Sequence, residues 1–95
     1  MAVLVYLKLF IKVEANSRFE QDLAELDRLA RQQPGFTWSE ILRPVSQGDE
    51  WVILSEWESR EHSRAWEHSP RHEEIMRAWA GHYARPYLKR RFSTA

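Results

Sequence analysis

From Val3 to Val13 an apolar side chain stands at every odd position: Val3, Val5, Leu7, Leu9, Ile11 and Val13. The even positions Tyr6, Lys8, Phe10 and Lys12 are mixed. This period of two predicts a strand with one face in the core and the other partly covered. The period then lengthens. Phe19, Leu23, Leu26 and Ala30 recur at helical spacing, with Leu29 alongside and Gln21, Glu25, Arg28 and Gln32 opposite. Ser17 and Glu20 match the S-x-x-E capping box expected to start that helix, and Pro34-Gly35 ends it. Residues 36–45 and 50–57 predict a hairpin of two strands turned by Ser46-Gln47-Gly48-Asp49. Ser59 is the expected N-cap of a short helix from Arg60 to about Glu67. Ser69-Pro70 restarts it, with Pro at the first helical position, and the restarted helix is expected to reach about Tyr83. His72, Met76, Trp79 and Tyr83 then form one helical stripe. Pro86 is expected to break the helix before a last strand over residues 87–92.

The order β-α-β-β-α-β predicts an α+β, ferredoxin-like domain: an antiparallel sheet with both helices on one face. At 95 residues the chain is one domain, 1–95. Tyr6, Phe10 and one face of residues 36–45 make the other side of the sheet too apolar for open water. A second copy of the chain, giving a homodimer, is the economical cover.

Charge narrows the function. Lys plus Arg and Asp plus Glu are 14 each, so the net charge is zero with His neutral. That speaks against general nucleic-acid binding and against a polybasic membrane-surface protein. RNA-recognition domains share the element order, but residues 51–57 lack their basic-Gly-aromatic motif. There is no Cys, which removes disulfides, thiolate metal sites and a Cys nucleophile. Lys8, Lys12 and Glu14 interrupt the apolar opening, so neither a signal peptide nor a membrane span is expected, and the cytoplasm is the default location. Five Trp, three Tyr and four Phe are many for so small a core. Such rings suit an interface or a pocket wall.

Pro34-Gly35-Phe36, Glu56-Trp57-Glu58-Ser59, Ala65-Trp66 and Ser69-Pro70-Arg71-His72 occur in that order and spacing. The set resembles the antibiotic biosynthesis monooxygenase (ABM) family. The resemblance implies a dimeric α/β barrel with a small apolar pocket between each sheet and its helices. Some members oxidise polycyclic aromatic substrates with dioxygen and neither metal nor flavin; others bind and degrade haem. The haem-degrading pattern is an Asn on the first strand, a Trp in the second helix and a His ten positions later. Trp66 matches the Trp, but Leu7 stands for the Asn and Met76 for the His.

Trp66 and His72 are the candidate catalytic residues. Trp66 would stack on a flat substrate or pass it an electron; otherwise it fills the core. His72 would act as a general base, since neutral imidazole suits that task near neutral pH. Trp57, His62, Met76, Trp79 and Tyr83 are the expected substrate-binding residues. His68 and His72 are four apart, but Pro70 lies between them and no carboxylate completes a ligand set. No metal and no cofactor is therefore expected. Arg85, Lys89, Arg90 and Arg91 either protect an edge strand or hold an anionic ligand at the pocket rim. The expected partner is a small apolar or aromatic molecule. The leading reading is a cofactor-independent monooxygenase acting on an aromatic or quinol-like substrate. The alternatives are a non-catalytic dimeric binding module and a haem-degrading protein.

Overall fold

β1 (Val3–Ile11) lies inside a four-stranded antiparallel sheet, between β3 (Trp51–Trp57) and β4 (Tyr83–Ser93), with β2 (Phe36–Leu42) beyond β3. This computed structural model describes residues 1–46, 48 and 50–94. The predicted turn at residues 46–49 therefore falls partly outside the described residues, at Gln47 and Asp49. α1 (Asn16–Ala30) follows β1, and α2 (Arg60–Glu67) and α3 (Pro70–Trp79) follow β3, giving the expected ferredoxin-like order.

The register explains which side chains meet. Val5 stands opposite Ser55 and Arg91, Leu7 opposite Ile53 and Lys89, and Leu9 opposite Trp51. All of these point to the helical side, where Phe19, Leu23, Leu26 and Ala30 of α1 are buried. The odd face of β1 is the core face as expected, although Val13 has left the strand for a 3-10 turn and is 43% exposed.

Four of the five Trp, at 51, 57, 66 and 79, are buried within this one chain. Of the two places expected for the aromatic surplus, an interface or a pocket wall, these four rings therefore do not need the first. Edge-to-face packing makes the burial compact: Phe19 meets Trp79 at 4.9 Å and Trp51 at 5.3 Å between ring centroids. Two indole N–H groups also find acceptors, Trp51 on Asn16 Oδ1 at 3.3 Å and Trp57 on Ser55 Oγ at 3.1 Å.

Three local expectations change. The capping box at Ser17 does not form; the N-cap of α1 is Ala15, two residues earlier, after a 3-10 turn, and Glu20 pairs with Arg43 instead. α3 ends at Trp79, so Tyr83 is the first residue of β4 and not the end of a helical stripe. The Lys12 N–H, which donates to His82 O at 2.8 Å, draws the chain back to β1 there. Pro86 does not break a helix but lies inside β4. The register passes from Lys8 with Leu88 to Phe10 with Arg85, so β4 carries an extra residue there. An edge-strand bulge tolerates the missing N–H.

Candidate functional site

Both helix starts that flank the site are set by serine caps. Ser59 Oγ accepts the His62 N–H and Ser69 Oγ accepts the His72 N–H, each at 3.2 Å. With Pro70 next to the second cap, His72 is fixed in the first turn of α3, facing the end of α2. There its ring meets Trp66 edge-to-face, with centroids 5.1 Å apart.

Two adjoining cavities lie between the sheet and the helices. The inner one measures about 60 Å³ and is walled by aliphatic side chains together with Phe36, Trp57 and Trp66. The outer one measures about 560 Å³ and takes Met76, Trp79, Tyr83 and Tyr87 into its wall. That larger volume falls in the range of small-molecule sites. Leu7, Leu26, Glu67, His72 and Lys89 border both cavities and so form the neck between them.

The structure thus brings together six of the seven residues singled out by sequence. Trp57 and Trp66 line the inner cavity, His72 the neck, and Met76, Trp79 and Tyr83 the outer cavity. Tyr83 arrives there from a strand, not from the helix expected to carry it. His62 borders neither cavity. Its ring packs on Gly35, and its Nδ1 lies 2.7 Å from Ser59 Oγ.

Sequence reasoning missed Glu67, which belongs to no motif. It pairs with both Lys89 and Arg91 and ties the end of α2 to β4 across the neck. The basic cluster near the C-terminus is split by the extra residue in β4. Lys89 and Arg91 face the cavities, whereas Arg85 stacks over Phe10 at 4.3 Å on the far side of the sheet. Parity counted back from Arg91 would leave Arg85 with Lys89 and Arg91; the extra residue of β4 between Arg85 and Leu88 turns it to the other face.

Charge at the neck is tuned by burial. Burial, and then the Lys89 ammonium, hold the His72 imidazole below its ordinary value and so favour the neutral ring. Burial pushes the Glu67 carboxyl up, but the hydrogen bonds and charges of Lys89 and Arg91 outweigh it and leave the group below the ordinary carboxylate range. Burial, helped by Tyr87, pushes the Tyr83 phenol up to about 12. The site therefore offers one imidazole whose neutral form is favoured, one paired carboxylate and two cations sharing it. Glu67 Oε2 and Trp79 Nε1 are buried without a hydrogen-bond partner. Among the described residues no three His, Asp or Glu side chains come together as a metal-binding group.

With the element order, the neck and its Trp–His pair in place, the comparisons decide the family. The profile of the family "Antibiotic biosynthesis monooxygenase" matches residues 2–78. The chain belongs to the ABM family. A mycobilin-producing haem oxygenase of Mycobacterium tuberculosis is 32% identical over 72 residues, 76% of this chain and 65% of that protein. The ABM chain thus matches just under two thirds of the length of that relative. Among solved structures, SnoaB of Streptomyces nogalater, a cofactor-independent oxygenase, superposes with a TM-score of 0.87 at 18% identity, over 99% of this chain and 93% of its own. A conserved protein of Methanosarcina mazei reaches a TM-score of 0.91 at 15% identity, over 100% and 94%. At those identities the two structures speak for the ABM fold alone.

Proposed function

We propose that this ABM chain is a monooxygenase that oxidises a flat, hydroxylated aromatic molecule of the quinol type with dioxygen. One observation carries the reading: a half-buried imidazole, His72, is held edge-to-face by Trp66 at the neck of an aromatic-walled cavity of ligand size. In the chemistry that suits it, His72 removes a proton from a ring CH₂ made acidic by neighbouring hydroxyl and carbonyl groups. The carbanion gives one electron to dioxygen, and the radical and superoxide join to form a C–O bond. Protonation gives a hydroperoxide, which loses water to leave a carbonyl. One oxygen atom enters the product and one leaves as water, while the substrate supplies all four electrons. The protein contributes orientation, a dry site and the base.

Dioxygen uptake and quinone formation with a panel of anthrone-type substrates test this directly. Turnover that falls at least a hundredfold in His72→Ala is the expected result. Saturable binding of the same molecules without dioxygen uptake would instead make the chain a binding module.

Haem suits the neck less well. Leu7, at the position of the Asn in the haem-degrading pattern, offers only carbon there, and Met76, at the position of the His, offers a thioether to the outer cavity. No haem step belongs to this reading. The identity to a haem oxygenase makes a Soret titration the control, and a tight complex ligated by His72 or Met76 would reverse the ranking.

The low His72 value fixes the expected pH dependence. His72 must be neutral to act, so activity should fall on the acid side only below the ordinary imidazole range. Lys89→Met removes a cation that opposes protonation and frees Glu67 to favour it. Both changes raise the imidazole value, so the acid limb of kcat/KM should move to higher pH. An unmoved limb would exclude His72 as the base.

The homodimer belongs to the same proposal. Trp38, Leu42 and Phe92 are 39%, 45% and 53% exposed on this single chain. With Tyr6 paired to Leu54, they build the apolar side of the sheet away from the helices. Sedimentation at low micromolar concentration should give a dimer, and Leu54→Lys a folded or partly unfolded monomer. A stable wild-type monomer would refute the sheet-to-sheet assembly.

A further inference from the structure

We propose that the inner cavity is a pocket for dioxygen, separate from the organic substrate in the outer cavity. The identity of the gas rests on the oxygenase reading above; the capacity to hold a small apolar guest does not.

Size makes the first argument. An apolar protein cavity of about 150 Å³ takes up benzene or xenon. The inner cavity, at about 60 Å³, is less than half as large, so it excludes even one aromatic ring and admits a diatomic molecule. The outer cavity is large enough for a fused-ring substrate.

The walls make the second. Val5, Leu23, Leu26, Ala30 and Ile53 supply an aliphatic lining. Away from the neck, where Glu67 Oε2 lacks a partner, the polar groups at its edge are engaged. Ser39 Oγ donates to Asp27 Oδ1 at 2.6 Å, the other Asp27 oxygen takes Arg31 Nε at 2.8 Å, and Ser55 Oγ accepts the Trp57 indole. A trapped water needs two to four polar partners, and the aliphatic end of the cavity, away from Glu67, His72 and Lys89, favours a guest that needs none.

Position makes the third. The inner cavity meets the outer one at His72, so a gas molecule in it faces the carbon that His72 would deprotonate. Lys89 and Arg91 share the single carboxylate of Glu67 there and leave an excess positive charge at the neck. That charge favours superoxide over dioxygen at the place where the electron arrives. The electron comes from the substrate carbanion, so no other reductant is required.

Xenon-pressurised crystals and oxygen kinetics test the proposal on Ala30→Val, which adds two methyl groups to the lining without a polar atom. In the wild type, xenon should occupy the inner cavity, and in Ala30→Val that peak should vanish. The variant should raise KM for dioxygen at least fivefold while KM for the aromatic substrate stays within twofold. Ordered water filling the cavity, or xenon only in the outer one, would overturn the assignment. So would an unchanged KM for dioxygen in a variant whose xenon site has gone. Xenon bound by a protein that never consumes dioxygen supports the gas-sized pocket and removes the oxygenase reading alone.

Discussion

Gly35→Ala is expected to destabilise the protein by about 2–5 kcal/mol. Gly35 has φ +81°, a left-handed conformation that a side chain makes unfavourable by about 1–2 kcal/mol. A Cβ placed on it would also lie 2.2 Å from His62 Cγ and 2.5 Å from His62 Cβ. The nearer part of the imidazole cannot swing aside, because the Ser59 cap fixes the first turn of α2. Overpacking of this kind adds about 1–3 kcal/mol. The sum is a large share of the roughly 5–15 kcal/mol by which a small domain is stable. Urea unfolding measures it, and His62→Ala separates the two parts. In that background the imidazole contacts disappear while the contact with the remaining Cβ stays, so the loss should shrink but remain above the roughly 1–2 kcal/mol of the backbone alone. Equal losses in both backgrounds would mean that the His62 contact contributes nothing. The pair also bears on the site, because Gly35 O accepts the Glu58 N–H at 2.7 Å and so holds Phe36 beside Trp57 in the inner wall. His62→Ala should leave substrate binding unchanged, since His62 borders neither cavity.

The elements that were legible in the sequence are those whose signals are local. The odd-position stripe of β1, the Phe19–Ala30 face of α1 and the two serine caps each depend on neighbours within a few residues. Each of those signals folds as it reads. Ser17 failed because its partner Glu20 had a distant competitor, Arg43, that no local pattern reveals. Tyr83 was misassigned because the spacing from His72 suits a helix. The Lys12–His82 hydrogen bond, made across the chain, begins the strand instead. Pro86 misled for the same kind of reason: its effect depends on lying at a sheet edge. At the site, the ordered motifs located Trp66 and His72, since both sit on capped helix starts or their continuation. His62 shares the same capped geometry as His72 and yet points to Gly35, a difference set by which element lies opposite. Glu67 was illegible because its importance comes only from Lys89 and Arg91 on a strand more than 20 residues away.

Trp66→Phe should lower turnover of a quinol-type substrate roughly tenfold to a hundredfold while the protein stays folded. Trp66 is 6% exposed and does two things: it fills the space between α2 and the sheet, and it sets the edge-to-face angle of the His72 ring. Phe keeps most of the apolar area, so the packing loss should stay near ~1–3 kcal/mol, the scale of core shape changes. The smaller ring leaves space beside His72, and the imidazole can then tilt from the position that reaches the substrate. A misplacement of about 1 Å at a reacting group can lower the rate a hundredfold. Trp66→Ala confuses the two effects, because a cavity of that size removes ~3–5 kcal/mol and can unfold a small domain. The comparison is therefore Phe against wild type at matched folded fraction. A fall in kcat with KM for the organic substrate nearly constant is the mark of lost positioning. If Trp66→Phe melts the protein, or stays folded with full kcat, the indole is core filling only. Should His72→Ala then also leave oxygen uptake intact, neither Trp66 nor His72 takes part in the chemistry, and the base lies elsewhere in the site.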